Sequence, residues 1–127
     1  MAQFLSEDHM VLGTDALNAD SGFQSAMANV DLGLQFVVTD GPDGNVDYYL
    51  QVGDGSADLA LGELDGADAS VTSDYETSAA ISKGEMNVQM AFMTGKIKVG
   101  GNMAKIMMNQ GLLNEFARVQ SGLDIAY

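Results

Sequence analysis

The stretch EMNVQMAFMTGKIKVGGNMAKIMM, residues 85–108, concentrates the flexible apolar side chains and the few cations of this chain. It holds six of the nine methionines and three of the five basic residues. Methionine is flexible and polarizable, so it suits a surface that must accept several apolar shapes, although a stripe at helical spacing more often belongs to an ordinary core. The spacing predicts two short amphipathic helices on either side of one strand, with helix breaks at Gly95 and Gly111.

Outside that stretch, runs in which every second residue is apolar predict strands with one buried face. Turns rich in Asp, Asn and Gly separate the first three strands, which therefore form an antiparallel meander. The strands are predicted at residues 32–38, 46–52, 57–61, 67–72 and 96–99.

Helices are predicted around this sheet from caps and from apolar spacing. Ser73 and Glu76 have the spacing of a capping box. The predicted helices cover residues 6–18, 21–29, 74–82, 86–94, 103–110 and 112–120. The chain is predicted to be one α+β domain over residues 1–127, with weaker helix signals in the first 24 residues. A five-stranded, twisted, mostly antiparallel sheet would be covered on one face by about five helices.

Charge is distributed unevenly along the chain. Residues 1–82 contain fifteen of the eighteen carboxylates and no Lys or Arg, and the formal net charge of the whole chain is −13. Such a field repels phosphates, so the sequence predicts no nucleic-acid partner and at most transient membrane contact through the face bearing Lys96 and Lys105. Cysteine is absent, and no apolar run is long enough for a membrane-spanning helix.

Residues with catalytic or metal-binding potential are few. His9, the single histidine, is interpreted as a solvated surface residue in a first helical turn. Asp43, Asn45 and Asp47 have the first ligand spacings of a calcium loop, but Tyr48 stands where that loop needs glycine. We therefore predict no metal, no cofactor and no enzymatic activity.

Four strings resemble the sterol carrier protein 2 (SCP-2) family of small lipid-transfer domains. They are LGLQFVV, DYYLQVGDGSADLALGE, ADASVTSDYETSAAISKGE and NVQMAFMTGKIKVGGNMAKIMM. The last resembles the family signature, with Ala91-Phe92, then Gly95-Lys96-Ile97-Lys98-Val99, then a glycine pair and a helix. The resemblance covers roughly residues 25–118. It implies an apolar tunnel between the sheet and the C-terminal helices, and a ligand such as a fatty acid, acyl-CoA or sterol.

Resemblance and residue patterns together predict a non-enzymatic lipid carrier, either a monomer or a homodimer. The acidity and the lack of a C-terminal peroxisomal address favour a stand-alone prokaryotic-type member in the cytoplasm. Lys96 or Lys98 is a candidate contact for a lipid head group. The candidate ligand-binding residues are Phe36, Leu50, Leu59 and Leu61 on the sheet wall, and Val88, Phe92, Met93, Met103, Met107, Leu113 and Phe116 on the helical wall.

Two alternatives remain open from the sequence. The same fold with a filled core would be an interaction or scaffold module, for example as an accessory to a lipid-metabolising enzyme. A small enzyme would need a pocket carboxylate such as Asp47 or Glu63 with a raised pKa.

Overall fold

The structure, a computed structural model, describes residues 2–127, which form six helices and seven strands in the order βααββββααβααβ. The helices are α1 (Glu7–Ala19), α2 (Ser21–Met27), α3 (Tyr75–Ser82), α4 (Val88–Met93), α5 (Met103–Met108) and α6 (Gln110–Ser121). The strands are β1 (Ala2–Gln3), β2 (Leu32–Gly41), β3 (Gly44–Gly53), β4 (Ser56–Leu61), β5 (Ala69–Asp74), β6 (Ile97–Gly101) and β7 (Ile125–Ala126).

Five strands form one mixed sheet in the order β4-β3-β2-β5-β6. The β2–β3, β3–β4 and β5–β6 pairs are antiparallel, and the β2–β5 pair is parallel. The parallel pair arises because the chain leaves β2 through the β3–β4 meander and returns on the other side of β2. The predicted α+β class and the mostly antiparallel five-stranded sheet are confirmed, and each of the six helices overlaps a predicted helix range.

The hairpin between β3 and β4 shows how the sequence sets the meander. Asp54 and Gly55 have φ angles of 53° and 75°. Two consecutive positive φ angles in a two-residue loop define a type I′ turn, whose twist matches that of the flanking strands, and Asp-Gly is a favoured sequence for it. The turn fixes the register, so Leu50 lies opposite Leu59 and both point to the same face.

The core lies where α1 packs on β4 and where α2 packs on α1 and α6. Leu17, Phe23, Leu32, Leu50 and Val52 are each at most 1% exposed. Burial of one such side chain contributes about 1.5–3 kcal/mol relative to an exposed position. This part of the molecule therefore supplies most of the hydrophobic stabilisation.

Two short strands near the ends of the described chain form a separate parallel pair, β1 with β7, in which Ala2 lies opposite Ile125. Phe4 follows β1 directly and is buried, with Tyr127 and Tyr75 against its ring at centroid distances of 4.8 and 5.5 Å. The sequence does not predict this pair, because two-residue strands are too short to show alternation.

Several helix boundaries differ from the prediction. Ser73 lies in β5, and Asp74 is the cap of α3, with its Oδ1 accepting the Thr77 N–H at 2.7 Å. The predicted capping box was therefore wrong. The break between α5 and α6 falls at Asn109, and Gly111 lies inside α6. Asn109 is suited to this break because its amide donates to the Lys105 carbonyl at 2.8 Å, which satisfies one of the free carbonyls near the end of α5.

Candidate functional site

A mainly apolar pocket of about 150 Å³ lies between the inner face of the sheet and the helices. Its sheet wall comes from alternating positions of β2 to β6, all on one face as the strand period requires. The apolar sheet residues of the wall are Leu34, Phe36, Leu59, Val71, Ile97 and Val99. The apolar helical residues are Met10, Ile81, Val88, Ile106, Leu113, Phe116 and Ala117.

The predicted ligand-binding residues divide into three groups by position. The first group lines the pocket: Phe36, Leu59, Val88, Leu113 and Phe116. Leu50 is fully buried in the core and does not line the pocket. The third group lies on the surface, outside the pocket wall: Leu61, Phe92, Met93, Met103 and Met107.

Leu61 ends β4, at the opposite edge of the sheet from β6, whereas the other four belong to an exposed apolar area on α4 and α5, here called the methionine ridge. Met93 and Met108 are each 84% exposed, and α5 has no buried residue. A concentration of exposed apolar side chains on two short helices is typical of a site of interaction. The ridge residues are Val88, Met90, Phe92, Met93, Met103, Met107 and Met108.

Three aromatic rings stand in a row along the pocket. The rings of Phe36 and Tyr48 are stacked at 4.7 Å with an interplanar angle of 7°, and Phe116 stacks on Phe36 at 6.0 Å. Tyr48 faces Phe36 across the β2–β3 ladder, so the sheet register holds the first pair. Burial raises the pKa of the Tyr48 phenol, which therefore stays uncharged beside the pocket.

His9 is only 4% exposed and lines the pocket, so its interpretation as a solvated surface residue was wrong. Its Nδ1 accepts the backbone N–H of Leu5 at 2.9 Å, and its Nε2 lies 3.3 Å from Oε1 of Gln120. Burial lowers the pKa of His9, and the hydrogen bond to Gln120 partly opposes that shift. The ring is held neutral at the deep side of the pocket.

The three serines of the pocket each have a hydrogen-bond partner. Ser73 and Ser78 share a hydrogen bond, and Ser82 Oγ lies 2.6 Å from the Tyr127 hydroxyl. His9, Gln120 and these serines were absent from the predicted site because isolated polar residues leave no periodic signal. Val71, Ile97 and Val99 did carry a signal, since the alternation had placed them on the inner face.

The lysines near the ridge stay at the surface. Lys96 and Lys98 are exposed, while their neighbours in sequence Ile97 and Val99 line the pocket, so Lys98 points to the opposite face of β6. Lys105 lies 3.1 Å from a carboxylate oxygen of Asp68. The pKa of Asp68 is lowered mainly by the Gly33 N–H that it accepts, with Lys105 adding to the effect.

The residues described, 2–127, contain no group of three or more His, Asp or Glu side chains arranged to hold a metal ion. Over the same range, no helix is both long and apolar enough to cross a membrane. Glu63 is exposed, and no Asp or Glu of the described residues lines the pocket. The site is therefore an apolar concavity with one neutral polar corner.

Fold and site together define a class of protein, small α+β domains in which helices enclose an apolar pocket against a five-stranded sheet. Residues 14–114 match the model of the SCP-2 sterol transfer family. The chain belongs to this family, whose members bind and transfer lipids.

Relatives and solved structures agree with this assignment. The chain is 35% identical over 78 residues to sterol carrier protein 2 of Gallus gallus, a match that covers 61% of this chain and 14% of that protein. A crystal structure of sterol carrier protein 2 superposes with a TM-score of 0.82 at 19% identity, covering 96% of this chain and 100% of the other. A conserved hypothetical protein from Thermus thermophilus gives 0.80 at 19% identity, covering 99% and 93%. At these identities, the structural matches concern the fold alone.

Proposed function

We propose that this protein is a non-enzymatic carrier that holds one lipid in the pocket between the sheet and the helices. The observation that carries the proposal is the apolar pocket itself, about 150 Å³, in a chain of this family. A single water needs about 10–15 Å³ on the same measure, so the space exceeds a packing defect. Each CH₂ removed from water contributes about 0.8 kcal/mol to binding.

The size of the pocket sets a condition on this function. An engineered apolar cavity of about 150 Å³ accommodates benzene. A long-chain lipid therefore needs the wall to move outward or must extend through the mouth. Val88 and Ile106 belong to both the pocket wall and the short helices that carry the methionine ridge. Because α4 and α5 have only six residues each and bury little, they are the elements best able to move.

We place lipid exchange at the methionine ridge, through brief contact with an anionic membrane surface. Residues 86–109 contain three lysines and no carboxylate, whereas the whole chain carries a net charge of −13. Lys105 is paired with Asp68, so the exposed Lys96 and Lys98 supply the local positive charge. Exposed apolar side chains beside local positive charge suit a surface of anionic lipid head groups, and the overall negative charge would keep the contact short.

Ala117 gives a direct test of the pocket. It is half-buried on α6 and lines the pocket, whereas Asn114 on the same helix is exposed. Ala117→Leu should fill part of the space and weaken lipid binding by about 10-fold, the equivalent of 1.4 kcal/mol. Displacement of a bound fluorescent lipid measures this affinity. Asn114→Leu, the matched control, should leave it unchanged. Equal affinity in both variants would place the ligand elsewhere. Native mass spectrometry of the purified protein should show a co-purifying lipid.

The ridge is tested by transfer rather than by affinity. Met93→Ser combined with Met108→Ser should slow delivery of lipid to vesicles of phosphatidylcholine and phosphatidylserine while equilibrium affinity stays the same. Val11→Ser, which removes an apolar side chain 61% exposed on α1, is the control. Equal transfer rates in the two variants would remove the ridge from the proposal.

The alternative function, an interaction or scaffold module with a filled core, is favoured by one observation, the same exposed ridge. A second copy of the chain covering the ridge would form a homodimer and close the route to the pocket. Sedimentation at increasing concentration distinguishes the two. A monomer that carries lipid supports the carrier function, and a stable dimer without co-purifying lipid supports the module.

A further inference from the structure

One buried side-chain atom among residues 2–127 lacks a hydrogen-bond partner, Nε2 of Gln120. Gln120 is 7% exposed and lines the pocket. Buried amide groups are nearly always paired, and leaving one unpaired costs free energy. A donor of this kind at the wall of an apolar pocket indicates that its partner comes with the ligand.

The orientation of the Gln120 amide follows from a chain of hydrogen bonds. The Leu5 N–H donates to Nδ1 of His9, so Nδ1 carries no proton. A neutral imidazole then carries its proton on Nε2, which donates to Oε1 of Gln120 at 3.3 Å. Exchanging the amide oxygen and nitrogen of Gln120 would point its NH₂ group at the Nε2–H of His9, so that two donors would face each other. The free group is therefore the NH₂ donor, and its partner must be an acceptor.

Gly13 supplies the space that the amide occupies. A Cβ added to Gly13 would lie 3.2 Å from Nε2 of Gln120 and 2.8 Å from a methyl of Leu59. The absence of a side chain on α1 lets the Gln120 amide lie between α1 and the β4 side of the pocket. The β4 edge of the sheet is opposite the β6 edge, near which the methionine ridge lies, because the strand order is β4-β3-β2-β5-β6. Four strand spacings separate the two edges, about 19 Å.

Charge restricts the acceptor further. No Lys or Arg of the described residues lines the pocket. His9 is the nearest titratable base, and protonating its Nδ1 would break the bond from Leu5. Burial also lowers its pKa. An ionised carboxylate or phosphate beside Gln120 would therefore be desolvated without a counter-charge, which is strongly unfavourable.

We infer that the pocket takes an uncharged long-chain lipid whose polar end is a carbonyl, ester or hydroxyl oxygen, and that this oxygen accepts a hydrogen bond from Nε2 of Gln120. The polar end lies deep, beside α1 and α6, and the hydrocarbon passes Phe36 and Phe116 toward Val88 and the ridge. This inference rests on the proposed carrier function and narrows its ligand class, disfavouring ionised fatty acids as deep-bound ligands.

The test uses four ligands of equal chain length, an alkane, its 1-alkanol, its methyl ketone and its carboxylate, in displacement of a neutral fluorescent probe at neutral pH. Wild-type protein should bind the alkanol and the ketone about 10-fold more tightly than the alkane, the equivalent of 1.4 kcal/mol. Gln120→Leu should reduce that preference to about 2-fold or less, since the hydrogen bond is its source. Gln110→Leu, an exposed position on the same helix, should keep it.

The outcomes separate this inference from the proposed function. Equal binding of alkane, alkanol and ketone by wild type, or tightest binding of the carboxylate, would overturn the inference and leave the carrier function intact. Displacement by none of the four would remove the carrier function itself. If Gln120→Leu does not fold, the wild-type series still decides. Its companion measurement is the Gln120 side-chain NH₂ resonance, which should shift with the alkanol and not with the alkane.

Discussion

The two phenylalanines Phe23 and Phe92 lie in contrasting regions of the molecule. Phe23 on α2 is 0% exposed within the core that also contains Leu17 and Leu50, whereas Phe92 on α4 is 45% exposed on the methionine ridge. The first region buries its apolar residues and stabilises the fold. The second exposes its apolar side chains to solvent, and they pack against few other residues. Apolar content alone therefore does not distinguish a core segment from a surface segment. The exposed fraction of the side chains does.

The largest expected effect comes from truncating each phenylalanine in turn. Phe23→Ala should lower the free energy of unfolding by about 3–5 kcal/mol, because it leaves a cavity in a packed core. Phe92→Ala should change it by about 0.5 kcal/mol or less, as surface substitutions do. Urea denaturation of both variants measures the difference. Similar losses in the two would mean that the ridge is packed in solution.

Helix caps in the two regions give a smaller contrast. Asp74 caps α3 by accepting the Thr77 N–H, and Asn102 caps α5 by accepting the Lys105 N–H at 3.1 Å. Asp74→Ala should destabilise the whole fold by about 1 kcal/mol, because α3 packs on the sheet. Asn102→Ala should fray α5 alone. Hydrogen exchange would show faster exchange confined to α5 in the second variant and a global change in the first.

The pH dependence of stability tests the buried side of the pocket. The pKa of His9 is lowered from 6.5 in the folded state, so below that pH the unfolded chain binds more protons and stability falls as pH falls. Lowered carboxylate pKa values, such as that of Asp68 below 3.8, act at more acidic pH. When the pH is lowered from neutral to between about 4.5 and 6.5, the free energy of unfolding should therefore fall more for wild type than for His9→Gln. Parallel curves for the two proteins would mean that His9 is not held neutral.

The smallest effect is expected at Lys98. Its side chain is exposed and lies on the face of β6 opposite the pocket, so Lys98→Gln should change stability by about 0.5 kcal/mol or less and leave ligand affinity unaltered. Calorimetric titration with an alkanol measures the second quantity. A loss of affinity would assign Lys98 a contact with the lipid head group, as the sequence had suggested for Lys96 or Lys98.

The sequence predicts the sheet well because its signal is local. Alternation placed Phe36, Leu59 and Val71 on one face, and the Asp54-Gly55 turn set the register between β3 and β4. The same reasoning could not tell exposed methionines from buried ones, because helical spacing identifies a stripe and not what covers it. The contact between His9 and Gln120 could not be predicted for another reason. They meet across 111 residues, through the packing of α1 against α6, and no local pattern encodes that contact.

The exposed methionines of the ridge also have a chemical consequence. Thioethers at the surface are readily oxidised, and the chain contains no cysteine to react first. Met93 and Met108, both 84% exposed, are the most accessible apolar targets described. Their sulfoxides are polar, so oxidation would convert the ridge from an apolar to a hydrophilic surface without disturbing the core. Methionine sulfoxide reductases would reverse the change, so a ridge that exchanges lipid, as proposed above, would respond to the redox state of its surroundings.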